Sequence, residues 1–289
     1  MNPYVIMTDT NSDLPVDYYE EHGIKVLSLK YLVDGETYDL EHPLDTGEFY
    51  AKMRNGSMPT SAQVNPDEAK AKMTECLEEG LDILYIAFSS GLSGTYQSGV
   101  VAKNEIDDEG RYPNQKVIVI DSLAASLGQG LLVHKAVQMK DAGKSIDEVA
   151  DWVEKNKNYL CHNFTVDDLF HLHRGGRVSK STAVLGTMIN IKPVLHVDDE
   201  GHLISLKNVR GRRKSLNALV DRMQEQAAGF ENDIVFISHG DCIDDANYVR
   251  DLVKERFGIE NFLINYVGPS IGAHSGPGTV ALFFMGSPK

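Results

Sequence analysis

No stretch of this 289-residue chain approaches the roughly 18 consecutive apolar residues that a membrane-spanning helix needs. The start, MNPYVIMTDTNSD, lacks the basic opening and longer apolar run of a secretory signal. Cysteine is scarce: Cys76, Cys161 and Cys242 are odd in number and far apart, with no CxxC pair. That argues against a disulfide framework and a structural zinc site. Positive charge is also short, with a formal net charge of -14 and a pI near 5.1. Binding nucleic acid means displacing counterions from phosphates, which basic surfaces do. An anionic membrane surface repels such a chain as well. Repeats, low-complexity tracts and long linkers are missing too. These absences predict a soluble, cytoplasmic protein with ordinary thiols, no nucleic-acid partner and no integral membrane association.

What is present is enough apolar residue, 42%, to bury a sizeable core in one large or two smaller α/β domains. Strand-like runs fall at Tyr4 to Thr8, Lys25 to Val33, Asp82 to Phe88 and Lys116 to Asp121. Helix-like segments lie between and after them, at Pro66 to Glu79, Gly94 to Ile106 and Leu127 to Ala142. Alternating strands and helices, with nearly continuous apolar strands such as ILYIAF, predict a parallel sheet covered on both faces. Ser145 with Glu148 has capping-box spacing and opens a further helix. Beyond it the pattern changes. Two strand-like runs joined by DDEG read as a hairpin. Helices then follow at Ser215 to Ala228 and Asp244 to Phe257, and strands at Asp233 to Ser238 and Asn261 to Val267. We place a domain boundary near residues 158 to 164, giving an N-terminal domain over 1–160 and a mixed α/β domain over 161–289.

The stretch SSGLSGTYQSG, from Ser89, sits between a predicted strand and a predicted helix. Free amide groups and the helix dipole favour an anion there, and open α/β sheets bind ligands at that edge. Ser89, Ser90, Ser93 and Thr95 offer hydroxyls, while Gly91 and Gly94 permit close approach. A helix cap is the plainer reading of the same residues. The nucleophile elbow G-x-S-x-G fails, since Gly94 follows Ser93 one place too early, and no GK[ST] completes a P-loop.

Other motifs are weaker singly. DTNSD carries half a calcium loop, with Asp9, Asn11 and Asp13 at ligand spacing, but Leu14 stands where glycine is needed. The plainer reading is a turn capped by Ser12 or Asp13. PTSAQVNP sets Thr60, Ser61 and Gln63 before Asn65 and Pro66, a good helix start. HLHRGGRVSK clusters Arg174, Arg177 and Lys180, and VRGRRKS clusters Arg210, Arg212, Arg213 and Lys214. Each is a solvated face or a site for a phosphate or an acidic partner. His171 and His173 form a strand-like HxH with no third metal ligand. AHSGPGT sets His274 beside a Gly-Pro-Gly turn, as a structural histidine or a donor to a carboxylate.

Taken in order, TDTNSDLP, PTSAQ, SSGLSGTYQSG, RGGRVSK, RGRRKS and HSGPGT resemble the DegV family over nearly the whole chain. The resemblance implies a two-domain α/β protein: an N-terminal Rossmann-like parallel sheet, a C-terminal mixed sheet, and a long-chain fatty acid between them. It implies a non-catalytic lipid carrier with no cofactor and no metal. In some bacteria such proteins are the fatty-acid-binding subunit of a fatty acid kinase, a setting in phospholipid metabolism. They present the acid to an ATP-dependent partner that makes the acyl phosphate. Carried over by motif, Thr60 or Ser61, with Ser93, Gly94 and Thr95, would bind the carboxylate, and His274 would stand close. Arg174, Arg177 and Arg210 would face the kinase or handle phosphate. Many relatives read TSQPS where this chain has TSAQVNP, so the choice between Thr60 and Ser61 stays open. A neutral hydroxyl cage free of arginine would suit later transfer. Leu92, Phe164, Ile189 and Ile191 are apolar candidates for the tail. Two other classes compete: an acyl hydrolase using Ser93 with His274, and a sensor of a short anionic metabolite.

Overall fold

The computed structural model describes residues 2–179 and 190–287. Lys180 and Ile189 therefore lie outside the described residues.

The first sheet is parallel throughout. It contains β1 (Tyr4–Asp9), β2 (Lys25–Leu27), β6 (Asp82–Ala87) and β7 (Val117–Asp121), in the order β2-β1-β6-β7. Every residue of β6 is buried, as expected for a strand covered on both faces. One face is covered by α3 (Pro66–Glu78) and α4 (Thr95–Glu109). Asn65 caps α3 by accepting from Asp67 N at 2.8 Å, as the Asn-Pro pair predicts. On the other face lie α5 (Leu127–Asp141) and α6 (Ile146–Asn156). The Ser145–Glu148 capping box forms in both directions.

The second sheet is mixed and six-stranded. It contains β8 (Leu160–Thr165), β9 (Ile191–Val197), β10 (Leu203–Arg210), β11 (Val235–His239), β12 (Phe262–Tyr266) and β13 (Val280–Met285), in the order β10-β9-β8-β13-β11-β12. Only β11 and β12 pair in parallel. α8 (Arg212–Gln226) and α9 (Ile243–Phe257) cover one face. On the other face α5 is shared with the first sheet. Its Leu131, Leu132 and Val133 are all buried in a core that also holds Ile6, Leu84, Phe164 and Phe283. A helix buried around its circumference belongs between two layers.

Three expectations need correction. The run Lys25 to Val33 is two strands. After β2 the chain leaves the sheet, because Leu29 N donates to the Thr10 hydroxyl at 3.0 Å rather than to a neighbouring strand. It re-forms as β3 (Tyr31–Val33), the centre of a small antiparallel sheet with β4 (Glu36–Tyr38) and β5 (Thr60–Ser61). Second, the HxH pair is helical: α7 (Phe170–Arg174) carries it. Third, neither Ser12 nor Asp13 caps α1 (Val16–Glu21), whose N-cap is Pro15 with no side-chain bond. Asp9 instead caps the short 3-10 turn at Thr10–Ser12. The remaining helices are α2 (Thr46–Arg54) and α10 (Pro269–Ser275).

Candidate functional site

Between the two main sheets lies a cleft of about 250 Å³. Its wall is mainly apolar, with Leu29, Phe88, Leu92, Phe164, Leu172, Val197, Leu203 and Phe283 among the lining residues. Leu92 and Phe164 are two of the expected tail contacts. Ile191 does not line the cleft.

Polar groups gather where β5, the Ser89–Gly94 turn, α7 and α10 meet. Ser61, Gln63, Ser93, Gly94, Arg177 and His274 all line the cleft. Strand alternation separates the two candidates of β5: Ser61 faces inward, whereas Thr60 is exposed and does not line the cleft. Ser61 Oγ lies 2.8 Å from His274 Nε2. Burial, with Arg177 and Arg174 nearby, pushes His274 down to about 4, so its imidazole is neutral at physiological pH. Its Nδ1 has no hydrogen-bond partner among the described residues and abuts Gly175, where a side-chain carbon would overlap it.

The serine-glycine turn divides its labour. Ser89 Oγ donates to Gly201 O at 2.9 Å, fastening the β9–β10 hairpin tip to the first domain. Gly91 allows that approach, since a side-chain carbon there would sit 2.8 Å from Glu200 O. Ser90 N donates to Asp121 Oδ1 at 3.1 Å. Thr95 is fully buried, accepts from Val64 N at 3.3 Å and lies 3.0 Å from Ser93 Oγ. Thr95 is thus a brace behind the lining, and only Leu92, Ser93 and Gly94 of this turn face the cleft. The many hydroxyls serve three tasks, of which facing the cleft is one.

The arginines also separate. Arg177 donates to Leu92 O from Nε at 3.3 Å and from Nη2 at 3.0 Å, and its Nη1 bonds Gly175 O. It is the only Lys, Arg, Asp or Glu among the described lining residues, so the expected hydroxyl cage does contain an arginine. Arg174 Nη2 donates to Pro59 O and Ala273 O, both at 2.9 Å. That clamps β5 to α10 and so sets Ser61 against His274. Arg210 is exposed at the end of β10, away from the cleft. Arg212 pairs with Asp245 at 2.8 Å and donates to Gly278 O at 2.6 Å, while Arg213 stacks 3.6 Å over the Tyr248 ring. Both are committed to the fold.

A serine hydrolase needs a nucleophile, a base and an orienting group in one chain of bonds. Here Ser93 pairs with Thr95, His274 pairs with Ser61, and no described carboxylate meets His274 Nδ1. A metal is equally unsupported: no cluster of three His, Cys, Asp or Glu stands at metal-holding placement among the described residues. His171 packs on Gly276, and His173 Nδ1 lies 3.4 Å from Val178 O.

Sequence reasoning missed a second polar group in the cleft wall. Asn11, Ser126 and Ser238 line it. Ser126 has φ 56° and ψ -145° at the start of α5, an uncommon backbone for a serine. Its hydroxyl donates to Asp13 Oδ2 and lies 3.0 Å from Ser238 Oγ. SLAAS offers no spacing rule that would flag it. Burial pushes Asp13 up to about 8. A carboxyl whose folded pKa is raised stabilises the fold at low pH and loses that contribution as pH rises through the folded value. Thermal melts should therefore show the wild type losing stability against Asp13→Asn between pH 5 and pH 8.5, by on the order of 4 °C. A constant difference across that range would contradict this protonation.

A largely apolar cleft with polar groups at two places, set between a parallel and a mixed sheet, defines a two-domain α/β protein with an internal cleft. Comparison makes the class particular. The sequence profile of the family described as "Uncharacterised protein, DegV family" matches residues 3–287. A DegV domain-containing protein of Clostridium perfringens is 42% identical over 291 aligned positions, covering 100% of this chain and 99% of the relative. The chain belongs to the DegV family. A DegV family protein of Thermus thermophilus, whose structure is described as showing fatty acid binding, superposes with a TM-score of 0.87 at 30% identity, covering 98% of this chain and 99% of that one. DegV of Bacillus subtilis, described as a fatty acid binding protein, gives 0.84 at 27% identity, covering 99% and 100%. No helix among the described residues is long and apolar enough to cross a membrane.

Proposed function

We propose that this chain binds a long-chain fatty acid in the cleft, carboxylate toward Ser61, Ser93, Arg177 and His274, acyl chain along the apolar wall. The observation that carries this is the lining itself. A polar corner holding the one full charge among the described lining residues opens onto a wall built mainly of Phe, Leu and Val, with a few uncharged polar groups, the distribution of a carboxylate with a long tail. A short anion would leave that wall unused. The neutral His274 offers a hydrogen bond without a second full charge. Each buried methylene contributes about 0.8 kcal/mol, so the tail dominates affinity and the corner sets orientation. Solved relatives described as fatty acid binding support the same ligand class.

The chain acts as a cytoplasmic carrier rather than an enzyme, needing no cofactor of its own. An ATP-dependent kinase transfers the γ-phosphoryl group to a carboxylate oxygen of the presented acid, giving the acyl phosphate and ADP. Arg210 is our candidate for contact with that partner, because it is exposed and outside the cleft. Two measurements test the proposal. Delipidated protein titrated with stearate should bind one equivalent, and Ser61→Ala or Ser93→Ala should each weaken binding at least about tenfold, the value of one hydrogen bond to a charged group. With stearate, ATP and the kinase, hydroxylamine should trap acyl hydroxamate only when this chain is added. Equal trapping by the kinase alone would remove the carrier role.

A further inference from the structure

We infer that the second polar group in the cleft wall is a subsite for a hydroxyl group carried on the acyl chain, making hydroxylated long-chain fatty acids a preferred ligand class. This rests on the fatty-acid reading above. Asn11 is 2% exposed and Ser238 and Ser126 are 0% and 5% exposed, yet all three line the mainly apolar cleft. Burying polar atoms against an acyl chain costs free energy unless they are satisfied. Among the described residues the Asn11 Oδ1 has no hydrogen-bond partner, and it can only accept. The Ser126–Ser238 pair, 3.0 Å apart, has oxygen lone pairs and a hydroxyl proton to share. A secondary alcohol on the chain can donate to Asn11 Oδ1 and exchange a second bond with the serine pair. A plain methylene does neither, and a ketone lacks the proton that Asn11 needs.

The group is held in place from both domains. Asn11 N donates to Asp9 Oδ1 at 3.1 Å, Ser126 is fixed by Asp13, and Ser238 stands on β11. Such preorganisation lets a ligand group bind without paying to order the protein.

The test is displacement of a fluorescent fatty acid from delipidated protein by stearate, by stearates hydroxylated singly at successive positions along the chain, and by the matching oxostearates. One hydroxylated positional isomer should bind roughly tenfold more tightly than stearate, the value of a satisfied hydrogen bond or two, and more tightly than its oxo counterpart. Asn11→Leu should erase that ratio; Ser238→Ala, a smaller change in a different element, should reduce it. Stearate binding with every hydroxystearate weaker would overturn the subsite while leaving the fatty-acid reading standing. Failure of stearate and all hydroxystearates to displace the probe would overturn both.

Discussion

Gly175→Ala is expected to weaken fatty-acid binding at least about tenfold while leaving the fold nearly as stable as before. Gly175 has φ -74° and ψ -7°, a conformation alanine adopts freely. Its requirement is one of space, because an added methyl would overlap His274 Nδ1. The ring must then turn or retreat, breaking the 2.8 Å contact with Ser61 and removing a donor from the carboxylate corner. One lost hydrogen bond to a charged group is worth about 1.5 kcal/mol or more, hence the tenfold. The neighbouring glycine supplies the contrast. Gly176 has φ +76° with none of the described residues within 4 Å of an added carbon. Gly176→Ala therefore strains only the backbone, by about 1 kcal/mol, lowering the melting temperature by roughly 3 °C with little change in affinity. Titration and thermal melts of both variants separate the two mechanisms. Equal affinity losses in both would show that the loop, rather than His274, governs binding.

The second large effect comes from the tail. Ala281 is buried in β13, beside Phe164 and Ser238 in the pairing register, and lines the cleft. Ala281→Phe would place a ring in space the acyl chain occupies. Occluding about four methylenes forfeits about 3 kcal/mol, more than a hundredfold in Kd. Because the ring enters an existing cleft, overpacking strain is less than in a filled core, and the melting temperature of the ligand-free protein should hold or rise. Unchanged stearate affinity in this variant would place the tail elsewhere.

Local chemistry made much of the fold legible. Asn65-Pro66, the Ser145–Glu148 box and the alternation of ILYIAF with helical segments each act within a few residues. The long-range choices were not legible. Leu29 leaves its strand because Thr10, 19 residues away in sequence, offers a hydroxyl, and nothing in KVLSLKYLV signals that. Likewise, Ser93 and Thr95 look interchangeable in sequence, but the hydrogen bond that Val64 N donates to the Thr95 hydroxyl turns one into a brace. Arg174 and Arg177 form one basic cluster as written. The fold sends the first to backbone carbonyls behind the site and the second into the cleft. Ser126 gives no local signal and Asn11 reads only as part of the DTNSD turn, because bringing both into one cleft wall needs α5 wedged between the two sheets, a tertiary fact without a local pattern.

The central claim is that the cleft holds a fatty acid, and extraction tests it most directly. Freshly purified protein would be denatured, extracted with organic solvent and the extract identified by mass spectrometry, with the delipidated protein then offered stearate. The account predicts about one long-chain fatty acid per chain, restored by uptake of the added acid. An empty extract from folded protein that also fails to take up stearate would contradict it.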